Sequence, residues 1–212
     1  MTTKVRQMSV TPRTLTRNPL TNRKIPASLI YEEISGVPYY YRGYRAVLSR
    51  QKTKEDIMGA SALQSAVVSL LIHILYKYLP FDDFLIATNE PGLHLAPGSN
   101  LANDIAVFDQ ASLPTPLDDK YFSVPPRIVI EVDVKIDLPA NVSETEYVYD
   151  KTQKMLDFGV QKVIWVLTKT RRTLIAQPGQ PWLLTDWDDT VEIMPGCVVE
   201  LNPLLRSKGV IL

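Results

Sequence analysis

Arg127-Ile128-Val129-Ile130-Glu131-Val132-Asp133-Val134-Lys135 is the stretch on which the fold turns. Its β-branched content predicts a strand, and its apolar density predicts a strand at the centre of a sheet. Alternation puts Glu131, Asp133 and Lys135 on one side and Ile130, Val132 and Val134 on the other. Ionised groups are costly to bury unless they pair or bind a cation. The charged face therefore opens on a cleft or compensates itself, or else the strand is an edge strand with a solvated face.

Working outward, residues 84–88, 93–95 and 104–108 are short apolar segments bounded by Pro, Gly and Asn, and they predict strands. A Pro-rich loop over 113–126 leads into the central stretch. After it, residues 144–158 carry Tyr147, Val148, Met155 and Leu156 at helical spacing, with Gly159 placed for a left-handed cap. Strands are predicted at 163–168 and 173–176. A closing meander follows over 182–184, 191–194 and 198–201, with turns at Asp188-Asp189 and Pro195-Gly196. On the N-terminal side, residues 28–48 predict short strands hinged at Ser35-Gly36. Ile57, Met58, Leu63, Val67, Leu70, Leu71, Ile74 and Leu75 predict one long helix over 55–79. This order predicts an α/β domain with the sheet in the middle.

With 212 residues, 45% hydrophobic and 22% charged, the chain is neither disordered nor fibrous. Lys plus Arg (23) equals Asp plus Glu (23), a formal charge of 0, so any affinity for nucleic acid must come from local patches. Arg42, Arg45, Arg50, Lys52 and Lys54 are one such patch. Residues 1–27 lack acids and hydrophobic period; they predict a basic arm, either a solvated or partner-draped extension or a phosphate-touching tail, ahead of a single domain over 28–212. An Arg-rich, acid-poor organellar transit peptide is a further reading of that arm. The lone Cys197 can form no internal disulfide and suits a reducing compartment. The most apolar stretch, 65–79, is broken by Ser69, His73 and Lys77 and predicts a buried helix, not a membrane span. No secretory signal is legible, and a cytoplasmic protein is expected.

Chemistry gathers at two places. In Asn103-Asp104-Ile105-Ala106-Val107-Phe108, Asp104 stands at the mouth of a strand, and a neighbouring strand can bring it close to Glu131 or Asp133. Two or three carboxylates suit Mg²⁺ or Mn²⁺, and a lysine beside them can orient water and stabilise charge on a phosphate. That set describes metal-assisted phosphodiester hydrolysis. Elsewhere, His73 on its apolar helix predicts a core histidine, and the single His94 makes no motif. Trp182 and Trp187 flank a turn and are expected to pack the meander. No G-x-x-x-x-G-K, G-x-G-x-x-G or G-x-S-x-G string is present, which weighs against P-loop, dinucleotide and esterase chemistry.

Asp104 followed by Asp133-Val134-Lys135 on a later strand resembles the PD-(D/E)XK nuclease superfamily. Several strings in order resemble, more narrowly, the Uma-type restriction endonucleases of bacteria. They are Tyr31-Glu32-Glu33-Ile34-Ser35-Gly36, then Asn103-Asp104-Ile105-Ala106-Val107, then Pro126 to Val132, and Lys151 eight residues before Gly159-Val160. Ile164-Trp165-Val166, Pro195-Gly196 and residues 201–205 continue the likeness. The resemblance implies a restriction-endonuclease-like mixed β-sheet flanked by α-helices and a divalent-metal-dependent DNA endonuclease. Asn103 stands where that family usually has proline. Matched by neighbours, Glu131 is the acidic ligand and Lys151 the lysine; matched by spacing, Asp133 and Lys135 form the pair. Lys135 lies about 13 Å along an ideal strand from Glu131. The implied metal ligands are Asp104 and Glu131 with Asp133 as a third, the expected lysine is Lys151 ahead of Lys135, and Glu32 is an outer acid or a solvated hairpin residue. Cutting both strands of DNA implies a homodimer. The rival expectations are an inactive module of this fold that binds nucleic acid or a protein, and an enzyme acting on a small phosphorylated or carboxylated substrate.

Overall fold

The computed structural model describes residues 25–140 and 142–210. The expected arm lies outside the described residues as far as Lys24. A six-stranded sheet forms the centre, built from β3 (Phe84–Thr88), β6 (Ile105–Asp109), β7 (Ile128–Val132), β9 (Lys162–Leu167), β10 (Arg172–Ala176) and β11 (Leu183–Asp186) in the order β11-β10-β9-β7-β6-β3. Only β7 and β9 pair in parallel, Glu131 opposite Trp165, and every other neighbour is antiparallel. A parallel pair needs a crossover, and α4 (Glu144–Phe158) supplies it. The result is a mixed α/β fold.

β7 is central, and all five of its residues are buried. Ile128, Ile130 and Val132 face one core, shared with α3 (Ala62–Tyr78), α5 (Leu201–Arg206) and the hairpin β12 (Val191–Met194) and β13 (Cys197–Val199). Val129 faces the other, shared with Tyr147, Met155 and Leu156 of α4 and with a five-stranded sheet. That second sheet has the order β4-β5-β1-β2-β8, from β1 (Ile30–Ile34), β2 (Val37–Tyr41), β4 (Gly92–Ala96), β5 (Ser99–Ala102) and β8 (Ile136–Asp137). Each aliphatic side chain fully buried this way contributes about 1.5–3 kcal/mol. Two apolar faces thus force β7 to the middle and rule out an edge position.

The caps are local and legible. Ser35 and Gly36 both take positive φ, 52° and 77°, as a two-residue hairpin turn requires. Ser143 and Glu146 close a reciprocal capping box at the start of α4, and those hydrogen bonds hold the Glu146 carboxyl below its usual range. Gly159 ends the helix at φ 117°, where a Cβ would come within 3.0 Å of Pro125.

Several expectations need correction. The strand expected over 127–135 stops at Val132, because Asp133 takes φ 62° and turns the chain out of the sheet, so Glu131, Asp133 and Lys135 do not share a face. The chain then re-enters the second sheet as β8, beside β2. The single helix over 55–79 is two, α2 (Glu55–Met58) and α3, parted at Gly59, with Ser61 accepting from the Gln64 N–H to cap the second. Residues 44–48 are helical (α1, Tyr44–Leu48) instead of extended. β5 gave no sequence signal of its own. The closing meander divides: β11 joins the main sheet, while β12 and β13 pair only with each other, and Leu201 begins a helix. His73 is exposed on the outer face of α3, not in the core. Trp187 is buried and donates its Nε1–H to the Arg172 carbonyl at 3.2 Å, whereas Trp182 lies against Tyr149. Among the described residues, no helix is long and apolar enough to cross a membrane.

Candidate active site

Asp104 sits in the two-residue link between β5 and β6. Its Oδ2 accepts the Val132 N–H at 2.8 Å, and its Oδ1 lies 2.5 Å from Lys135 Nζ. The strand pairing explains the first contact. β6 begins at Ile105, opposite Ile130, so the N–H at the end of β7 has no strand partner and the carboxylate takes its place. The turn at Asp133 explains the second, because it swings Lys135 back over the strand end. Asp133 itself accepts from the Thr168 N–H (2.7 Å) and hydroxyl (2.6 Å), which ties the ends of β7 and β9 together and points its carboxylate away from Asp104's partner set.

Glu131 faces the opposite core, and α4 brings Lys151 to it. Lys151 Nζ lies 2.8 Å from Glu32 Oε2, 3.0 Å from Glu131 Oε1 and 2.8 Å from the Ala102 carbonyl. The three charged residues are 1–3% exposed, so this is a dry network, not a solvated one. Lys151 is therefore not a surface residue paired with Asp150 or Glu146, and Glu32 is not a solvated hairpin acid. Glu32 also accepts the Tyr147 hydroxyl. The Lys151 contact to Glu131 is an ion contact without hydrogen-bond alignment, and Glu131 Oε1 has no hydrogen-bond partner. Burial pushes the Glu131 carboxyl up to about 8, against the pull of Lys151, with Asp104 and Glu32 adding to the rise. For Lys151 burial acts downward, but Glu131 and Glu32 outweigh it and leave the ammonium raised.

Tyr31 joins the two ion clusters. Its ring lies 6.0 Å from Lys135 Nζ and 5.7 Å from Lys151 Nζ, within cation–π range of both. Its hydroxyl is buried with no hydrogen-bond partner, and burial, followed by Glu131, Glu32 and Asp104, holds its pKa well above the usual phenol range. Gln64 is a second residue that sequence reasoning missed: its Nε2 donates to the Val132 carbonyl at 2.7 Å, so Val132 is held on both sides. A buried glutamine in the first turn of an otherwise apolar helix was the available signal.

A cleft of about 940 Å³ opens at Asp104, Asp133 and Lys135, between the start of α3 and Asn89-Glu90. Arg42 and Lys52 line it too. Glu131, Lys151 and Glu32 are buried and do not line it. His94 is elsewhere, exposed and hydrogen-bonded to Asn100 at 2.6 Å. Among the described residues no three His, Cys, Asp or Glu side chains form one metal-holding group. Carboxylate oxygen is the donor type a hard cation takes; Asp104 offers it at the cleft, while Glu131 Oε1, which accepts no aligned hydrogen bond, is held 3.0 Å from the Lys151 ammonium.

No protein-family model matches the chain, and no curated protein does. Among solved structures it is similar to a protein of Anabaena variabilis described as "a putative nuclease belonging to DUF820". The TM-score is 0.58 at 18% identity, covering 82% of this chain and 89% of that one. The two share a fold, a mixed sheet flanked by helices.

Proposed function

We propose that this chain is a divalent-metal-dependent endonuclease hydrolysing phosphodiester bonds in DNA. The observation that carries the reading is Asp104 at a cleft, with Lys135 Nζ at 2.5 Å and its other oxygen on the N–H of Val132, the residue after Glu131. The Anabaena variabilis neighbour, described as "a putative nuclease belonging to DUF820", supports it. Asp104 and Glu131 are the residues to hold Mg²⁺ or Mn²⁺. Asp133 falls out of the proposed ligand set because Thr168 occupies its carboxylate. When bound, such a cation supplies an activated water and neutralises charge on the phosphate. Lys135, on the cleft side, meets the phosphate oxygen or the attacking water. Lys151, buried and away from the cleft lining, compensates the Glu32 charge and that of Glu131 when it ionises, so the water-handling role passes to Lys135. A homodimer carries two such sites, one for each strand.

The test is supercoiled plasmid with Mn²⁺. Asp104→Asn keeps an oxygen for the Val132 N–H but loses the charge, so cutting falls at least about 100-fold while the fold persists. An unaltered chain that never cuts, yet retards DNA, supports instead a binding module of the same fold. That second reading rests on the lysines each being already paired with a carboxylate.

A further inference from the structure

Residues 42–54 contain five cations, Arg42, Arg45, Arg50, Lys52 and Lys54, and no acid, in a chain whose formal charge is 0. Among the described residues none of the five is ion-paired, whereas seven cations elsewhere are. All but the half-buried Lys54 are exposed. Unpaired, solvated charges in one short segment are available to a polyanion, and Arg42 and Lys52 place two of them on the wall of the Asp104 cleft. The segment also holds an aromatic stack. Tyr44 lies on Tyr40 with centroids 4.7 Å apart and an interplanar angle of 29°, and the Arg45 guanidinium sits 5.4 Å from the Tyr44 centroid. Tyr44 is only half-buried. Arg45 Nε also donates to the Tyr44 hydroxyl at 3.3 Å, and a half-exposed ring backed by Tyr40 among cations is the arrangement on which an unpaired base stacks while its phosphates meet the charges. A duplex keeps its base faces covered and can use only the cations.

We propose that residues 42–54 are the track that leads a single strand of DNA into the cleft, with a base on Tyr44 and phosphates on Arg42, Arg45 and Lys52. This rests on the nuclease reading for its purpose, but it is tested by binding alone. A fluorescein-labelled thymidine 12-mer and a duplex of the same length are titrated with the full chain in EDTA, where no cutting occurs, and anisotropy is followed. The single strand is expected to bind at least about fivefold tighter. Tyr44→Ala weakens that binding about tenfold and leaves the duplex within about twofold, and Tyr44→Phe restores it. Arg45→Gln and Lys52→Gln weaken both ligands, each lowering the salt slope for the single strand by about 0.7. Circular dichroism of each variant confirms that it is folded. Equal affinity for the two ligands, or a folded Tyr44→Ala that binds the single strand unchanged, overturns the track. If the track binds as stated but no cutting follows with Mn²⁺, the nuclease reading fails and the track stands. If plasmid is cut while Tyr44→Ala binds normally, the track fails and the nuclease reading stands.

Discussion

Lys151 Nζ lies 3.0 Å from Glu131 Oε1, joining the crossover helix to the central strand through two side chains that are 1% and 2% exposed. Removing one member of a buried ion pair leaves the other charged in a dry interior, which costs more than the pair is worth intact. The two lysines of the site stand in different surroundings, and that difference separates structure from chemistry.

Lys151→Met strands Glu32, and Glu131 wherever it is ionised, and is expected to lose about 3–5 kcal/mol of stability. Lys135 is 20% exposed on its side chain, and its partner Asp104 keeps the Val132 N–H, so Lys135→Met loses about 1–2 kcal/mol. Plasmid cutting behaves the other way, with Lys135→Met at least about 100-fold down in a folded protein. Urea melts beside Mn²⁺-dependent cutting check the pair. A stable Lys135→Met variant that cuts normally reassigns the working lysine to Lys151.

Stability should fall as pH rises from about 5 to about 8. The Glu131 carboxyl moves from 4.5 to about 8 on folding, so between those values the folded chain holds a proton that the unfolded chain has released. The raised Lys151 ammonium adds no slope there, since its contribution is lost only above its ordinary value of 10.5. Glu131→Gln, neutral throughout, should flatten the profile. Urea midpoints at intervals of half a pH unit measure it, and a midpoint that climbs across this window contradicts the assignment.

Tyr31→Phe is expected to leave stability unchanged or to raise it by up to about 1 kcal/mol, because the hydroxyl it removes is buried without a partner. Calorimetry gives the comparison. A loss above about 1 kcal/mol means that the phenol is hydrogen-bonded in solution, with the carboxylates around it as the acceptors.

Local signals were enough for much of the fold. The helix over 144–158 has its bounds in Ser143, in Glu146 three residues on, and in Gly159, all of which act within a turn of the chain. The centrality of β7 follows from a run of β-branched residues that only a sheet covered on both faces can bury. Asp104 and Glu131 are legible for a related reason, since each is an ionisable residue set in an apolar strand or at its mouth. Alternation failed where one residue departed from extended backbone. Asp133 at φ 62° is a non-glycine residue in the left-handed region, stabilised by Thr168 in the turn after β9, 35 positions away, and no sequence period reports such a partner.

The sequence by itself determined the α/β order, the strand that must lie at the centre, the Gly159 cap of α4 and the acids that apolar surroundings make costly. Only the tertiary structure decided how charges pair. It set Lys135 on Asp104 and Lys151 between Glu131 and Glu32, put Tyr31 within reach of both clusters, and placed one lysine in the cleft and the other in the buried interior. The reason is physical: secondary structure and caps depend on neighbours a few residues apart, whereas a charge in a dry interior is satisfied by whichever opposite charge the packing of distant elements brings within about 3 Å.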